Sequence, residues 1–437
     1  MHALACKHAE AWPSVPLANR WSSLQDGGMN EMHDIVIMGG GPAGTACGTF
    51  LAREGLDVAI LEGERHPRHH IGESLLRASM PILADLGVSM DEMAARFQPK
   101  FGARFYDPVE DRLATFQFEA VPGSASPSYQ VLREDFDAML AKKAFESGCK
   151  LQQDAFIESV EEGLERPCVH LRGGRTIECK FLVDATGRQP LLASKRKTRQ
   201  IIADYGRVGI YNYFTDLPPH DEHDANYITM YLFAEGWVWL IPLRDGRTSV
   251  GVVYRQVPRE VDRSQESEVS RTERLFWQAV GTMPRLEGRL RAARRTDEFR
   301  AISDYSFTVA EKFGPGFVAV GDAAGFLDPI FSSGVHLALS SAQRASAGVL
   351  KKLRTGSDRG LRDYADYMTQ GFHVFRAFVH RFYNRDLVQN LFFMPNKPPV
   401  IHAAITSILA GHVWDTSNPV LKMIGAVPAA TEPAVTV

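Results

Sequence analysis

The chain has 437 residues, with Lys+Arg 49 against Asp+Glu 52 and a formal net charge of −3, so no basic excess points to nucleic acid. Hydrophobic residues make up 45% and charged residues 23%, enough for a sizeable core of two or three joined subdomains, and small-molecule chemistry is the default expectation. No apolar run reaches the roughly 18–20 residues that span a bilayer, so no membrane association is expected.

Residues 1–32 lack the apolar core of a secretory signal and are read as a disordered leader. The cysteines are Cys6, Cys47, Cys149, Cys168 and Cys179. Their odd number, without a C-x-x-C or a metal spacing, predicts reduced thiols and a cytoplasmic protein.

The segment "HDIVIMGGGPAGTACGTFLAREGLDVAILEGE" carries the strongest local signal. A buried strand, Asp34 to Met38, runs into a G-x-G-x-x-G turn that holds Gly39, Gly41, Ala43 and Gly44. A helix to about Glu54 follows, then a stop at Gly55 and a second strand, Val58 to Leu61, ending at Glu62. Glycines let backbone approach a pyrophosphate, the helix N-terminus supplies free N–H groups, and the acid takes ribose hydroxyls. With every part in order, a dinucleotide site is expected.

Further on, "HIGESLL" contains Glu73 and Ser74, "FQPKFGARF" contains Lys100, and "VLREDFDAML" opens a helix with Arg133. In "FQPKFGARF", Phe101, Ala103 and Phe105 alternate with smaller or charged neighbours. A lone lysine is usually a solvated surface group; in an apolar tunnel, desolvation would lower its pKa. "FLVDATGR" ends a strand in a Gly turn. "GWVWLIP" and "LRDGRTSVGVVY" form a predicted hairpin with its turn at Asp245 and Gly246. Alternation along that strand sends Trp237, Trp239 and Ile241 to one face, and Val238 and Leu240 to the other. Core packing or a partition beside a reaction site would both use such a pair of indoles. "GFVAVGDAAGFLDPIFSSGVHLAL" gives a strand, then Asp322, then a helix beginning near Gly334. From residue 358 on, the aromatic-rich spacing predicts one or two helices that pack on the rest, or that cover a substrate mouth.

These stretches resemble flavin monooxygenases of the aromatic-hydroxylase type and, more specifically, flavin-dependent halogenases, from about His33 to Phe393. "WVWLIP" matches the W-x-W-x-I-P of the halogenases, and "GESL" resembles their phenol and pyrrole branch. The resemblance implies a mixed α/β fold with a Rossmann-type FAD-binding domain over 33–200 and 300–357. It implies an antiparallel substrate-covering sheet over 201–299 and a helical segment over 358–437. FAD would be held by Gly39, Gly41, Ala43, Gly44, Glu62, Glu73, Ser74, Arg133 and Asp322. Chloride or bromide would face the backbone amides of Ser333 and Gly334, which open a helix; the same amides would also suit the flavin's own carbonyl edge.

In such enzymes reduced flavin and O2 give a hydroperoxide, and halide attack on it gives hypohalous acid. Trp237 and Trp239 would keep the organic substrate from the flavin, and Lys100 would receive the hypohalous acid. Relatives of this kind serve secondary-metabolite and antibiotic biosynthesis. The absence of a second G-x-G-x-x-G unit, together with the resemblance, implies FADH2 delivered by a separate NAD(P)H-flavin reductase. Tryptophan halogenases carry a glutamate just before the Ser-Thr-Gly of this segment, where this chain has Phe331. The resemblance therefore implies a phenol or pyrrole substrate, free or tethered to an acyl or peptidyl carrier protein. The alternatives are an FAD-dependent aromatic hydroxylase and a flavin-binding interaction protein without turnover.

Overall fold

A computed structural model describes residues 30–426, except 122–126, 164, 203–207, 222–223, 256, 258–266, 304–305 and 386. The expected leader lies outside the described residues up to position 29. The first strand starts earlier than predicted, at Asn30, because residues 30–33 pair with Thr176–Cys179.

The central sheet runs Phe313–Gly314, Phe317–Ala319, Thr176–Asp184, Asn30–Met38, Val58–Leu61 and Lys150–Gln152. Along this path all neighbours are parallel except the first pair, and Cys168–Leu171 adds an antiparallel neighbour to Thr176–Asp184. Strands covered on both faces read as continuous apolar runs, and Val58–Leu61 is buried at every position. Ile35 and Ile37 join the main core with helices Pro42–Arg53, Arg133–Glu146 and Ser333–Thr355. Val36 and Met38 face the antiparallel hairpin Ile157–Glu161 and Cys168–Leu171.

The second large sheet runs Arg294–Arg295, Val208–Thr215, Thr248–Tyr254, Gly236–Pro242, Tyr227–Phe233, Gly102–Asp107 and Arg112–Gln117, with Arg300–Ser303 also on Val208–Thr215. Its membership differs from the predicted 201–299 unit. Gly102–Asp107 and Arg112–Gln117 come from the stretch assigned to the dinucleotide unit, and Tyr227–Tyr231 pairs with Gly102–Tyr106 in parallel. A parallel pair needs a long connection, so nothing local in either strand announces it.

The indole hairpin forms with its turn at residues 243–247, where Leu243 N–H and Arg247 C=O close the loop and Gly246 takes φ 85°. Its faces alternate as predicted. Trp237, Trp239 and Ile241 turn toward the main core. Val238 and Leu240 pack with Leu275, Phe276, Leu286 and Leu290 of helices Glu268–Val280 and Pro284–Ala292.

The C-terminal part forms helices Arg359–Tyr383, Pro399–Leu409 and Pro419–Met423, with a π turn at Val388–Phe392. Leu361, Tyr364, Met368, Phe375, Phe378 and Phe382 make a buried stripe at helical spacing, so this segment packs as core. No helix among the described residues is long and apolar enough to cross a membrane.

Trp239 pairs with Gly251 across the hairpin, and a methyl at Gly251 would enter the indole ring. Gly251→Ala is therefore expected to lower stability by about 1–3 kcal/mol through overpacking and to change the near-ultraviolet dichroism of the indoles. Chemical denaturation with an unchanged midpoint and slope would contradict this.

Candidate active site

A cavity of about 1010 Å³ lies between the two sheets, near the upper end of small-molecule pocket sizes. Its nucleotide end is built from the Gly-rich turn. Gly39 has φ 106°, and a Cβ there would strike the Ala185 carbonyl. Gly39, Gly41 and Ala43 line the cavity. Gly44 does not; a Cβ on it would strike the Gly39 carbonyl, so it serves the close packing of helix on strand. Glu62 Oε2 accepts from Gly40 N–H at 2.8 Å and from Arg68 Nη2 at 3.2 Å.

Arg133 lies at the first turn of its helix. It gives Nε and Nη2 to Asp137 at 2.8 and 3.0 Å, and Nη1 to the Ile71 carbonyl at 2.8 Å. That last bond holds the segment leading to Glu73 and Ser74, both on the cavity wall. Asp322 also lines the cavity; removal from water pushes its carboxyl up to about 6, with Arg188 and Arg133 pulling it back.

At the other end stand the indoles, with ring centroids 5.9 Å apart and 2% and 7% exposed. Trp237 Nε1 donates to Tyr383 OH at 3.1 Å, and Tyr383 OH donates to Asp328 Oδ2 at 2.9 Å. Asp328 Oδ1 accepts from Ile330 N–H at 3.0 Å. One indole is thus tied to the loop that turns at Ser332 (φ 54°) into helix Ser333–Thr355. Ser333 and Gly334 line the cavity there, and the first-turn amides of a helix have no intrahelical partner. Phe331 turns away, packing edge-on against Phe378 and Phe382 with centroids 5.8 and 5.9 Å off.

Lys100 is not among the residues that line this cavity. It ends strand Gln98–Lys100 and is 1% exposed. Its Nζ donates to the Leu75 carbonyl at 2.9 Å and lies 5.2 Å from the Phe118 ring centroid. Ser128 Oγ also donates to that carbonyl, at 2.7 Å. Burial, with no carboxylate partner among the described residues, drives the ammonium pKa down to about 7. The expected alternation of Phe101, Ala103 and Phe105 holds only for the last two. Phe101 is 42% exposed, because the chain leaves one sheet at Lys100 and enters the other at Gly102. The four described cysteines are free thiols, and Cys6 lies outside the described residues.

The residues present fit a flavin dinucleotide. Gly39 and Gly44 have room only for bare backbone, Glu62 would take the ribose, Arg68 adds a cation beside Gly41, and the far end is wide and apolar. Sequence reasoning missed Arg68, Tyr213, Ser249, Asp328 and Tyr383. No local pattern marks them; Tyr213, Asp328 and Tyr383 reach the site through partners far along the chain, whereas Arg68 and Ser249 bond Glu62 and Trp239 nearby in sequence.

Comparison with known proteins agrees with this geometry. A family model described as tryptophan halogenase matches residues 34–122 and 111–393. The chain belongs to the flavin-dependent halogenase family. It is 30% identical over 411 residues to the 1H-pyrrole-2-carbonyl-[peptidyl-carrier protein] chlorinase of Pseudomonas fluorescens, covering 87% of this chain and 90% of that one. Identity to the Tryptophan 2-halogenase of Chondromyces crocatus is 34% over 323 residues, covering 72% of this chain and 60% of the relative. The solved flavin-dependent brominase Bmp2 superposes with TM-score 0.79 at 25% identity, covering 90% of this chain and 97% of the other. This halogenase is therefore an FAD-dependent enzyme with a mixed α/β fold, and the hydroxylase and non-catalytic alternatives fall.

In protein carrying 13Cε-labelled lysine, Lys100 is expected to titrate near pH 7, as ammonium below and neutral amine above. Assignment by Lys100→Met isolates its resonance in an NMR titration. A Lys100 midpoint in the ordinary lysine range, about 10.4, would contradict the burial argument.

Proposed function

We propose that this halogenase chlorinates or brominates an electron-rich ring, a phenol or a pyrrole, with Lys100 as the residue that carries the active halogen to it. The observation that carries this reading is the pairing of a buried lysine, without a carboxylate partner among the described residues, with a flavin-sized cavity that Lys100 does not line. When bound, reduced FAD supplies the activation of O2 that oxidises halide to hypohalous acid. Ser333 and Gly334 offer helix-start amides for the halide, chloride or bromide. Trp237 and Trp239, held by Tyr383 and Ser249, keep an aromatic substrate out of the flavin cavity.

Near neutral pH both forms of Lys100 are populated. The ammonium can hydrogen-bond hypohalous acid and sharpen its electrophilicity; the amine can take up the halogen as a haloamine. Either gives the ring a halogen from a fixed position.

Phe331 supplies no base, and its ring sits among Phe378 and Phe382. A substrate that stabilises its own cationic intermediate through OH or NH needs less help in losing the ring proton. The Pseudomonas fluorescens relative and the corresponding brominase of Pseudoalteromonas luteoviolacea, 30% identical over 88% of this chain, are both named for a pyrrole on a peptidyl-carrier protein. That favours a tethered ring. Electrons come from a separate NAD(P)H-flavin reductase.

The test supplies NADH, FAD, O2, halide and an independent flavin reductase, and offers the same ring as free acid and as carrier thioester. Product is expected only with reductase present, and faster from the thioester. Lys100→Ala is expected to keep FAD binding and flavin reoxidation while losing carbon–halogen bond formation by about 100-fold or more. Halogenation by Lys100→Ala at the parent rate, or rapid turnover of free tryptophan with phenols and pyrroles inert, would overturn the proposal.

A further inference from the structure

Glu73 belongs to the cavity wall, yet only 1% of it is exposed. Its Oε1 accepts from Tyr213 OH at 2.8 Å. The Ser249 hydroxyl, which accepts the Trp239 indole N–H at 3.1 Å, stands beside the same carboxyl. These contacts place Glu73 at the indole end of the cavity. Its other oxygen, Oε2, has no hydrogen-bond partner among the described residues.

The surrounding charges do not neutralise it. Tyr211 and Tyr213 face it from strand Val208–Thr215, Ser249 from the neighbouring strand, Arg133 from its helix and Arg247 from the hairpin turn. Both arginines act from a distance. Arg133 gives its hydrogen bonds to Asp137 and Ile71, and Arg247 gives its own to Asp245. Loss of water outweighs all of them and pushes the carboxyl up to about 7. A buried carboxylate with one bare oxygen is a poor state. The neutral acid is a better one, provided its O–H finds an acceptor, and no hydrogen bond to Oε2 is made among the described residues.

We propose that Glu73 is a proton-holding residue of the flavin site: its neutral carboxyl donates a hydrogen bond from Oε2 to an acceptor atom of the bound ring, and it takes up that proton when the reduced, anionic ring binds. The inference rests on the cavity being the flavin site. An anionic ring is a stronger acceptor than the oxidised one and repels a carboxylate, so it raises the proton affinity of Glu73 further. The stored proton matches the chemistry. Oxidation of X− by O2 and the anionic reduced flavin gives HOX, FAD and water and consumes two protons; Glu73 is placed to supply one of them and is reprotonated from solvent.

The test is anaerobic titration of the parent with FADH2 from about pH 5 to about pH 9, with a pH indicator to count protons. Affinity is expected to be level below about pH 7 and to fall by up to tenfold per pH unit above it, with close to one proton taken up on the alkaline side. Glu73→Gln keeps the neutral shape permanently, so it should hold the low-pH affinity throughout and lose that uptake. Any ionisation of the ring itself persists in both proteins and subtracts out. Tyr213→Phe removes a donor that favours the ionised form and should move the midpoint upward; a residue that only packs would leave it in place. A pH-independent parent, a Glu73→Gln variant with the parent's pH dependence, or an unmoved Tyr213→Phe midpoint overturns the Glu73 assignment and leaves the cofactor reading standing. A parent that binds neither FADH2 nor FAD overturns both.

Discussion

Everything in the site depends on one strand, Gly236–Pro242, with both indoles on the same face. Side-chain alternation puts Trp237 and Trp239 on the cavity side and leaves Val238 and Leu240 to anchor the strand from behind against two helices. The wall is stiff because each indole N–H is bonded, one to Tyr383 and one to Ser249. Through Tyr383 it is joined to Asp328 and the start of helix Ser333–Thr355; through Ser249 it stands beside Glu73. The start of helix Ser333–Thr355 and Glu73 therefore meet the wall through Tyr383 and Ser249, while the Gly-rich turn, Glu62 and Arg133 are held by bonds of their own.

Burial does the chemical tuning. Lys100, Glu73 and Asp322 are all displaced toward neutrality, with pKa values of about 7, 7 and 6, and in each the largest cause is loss of water. Arg133 and Asp137 show the contrast. They are buried and paired, and the arginine beside Asp137 holds its carboxyl below the usual range. Ion pairing keeps Arg133 and Asp137 charged, whereas burial without such a pair leaves Lys100, Glu73 and Asp322 displaced toward neutrality.

The dinucleotide end was readable in the sequence because it is local. Strand, turn, helix and acid follow one another within a few dozen residues, and each is set by glycine freedom or apolar pattern. The face alternation of the indole hairpin was readable for the same reason. Lys100 was legible only through its resemblance to a family motif, since nothing in "FQPKFGARF" announces a lysine that is 1% exposed. Phe101 misled the pattern because a change of sheet breaks the period. The pairing of Tyr227 with Gly102, and the arrival of Tyr383, Tyr213 and Asp328 at the wall, depend on contacts between distant segments that no window of sequence contains.

The central claim is that the wall separates flavin from organic substrate. The direct measurement compares O2 consumed with halogenated and ring-hydroxylated product in the parent and in a Trp237→Ala, Trp239→Ala double variant, read by mass spectrometry under reductase-coupled turnover. The account predicts that the double variant still consumes O2 but forms halogenated product at a much lower yield per O2, with peroxide or hydroxylated ring in its place. A double variant that halogenates at the parent rate and yield would return both indoles to ordinary core packing and contradict the account.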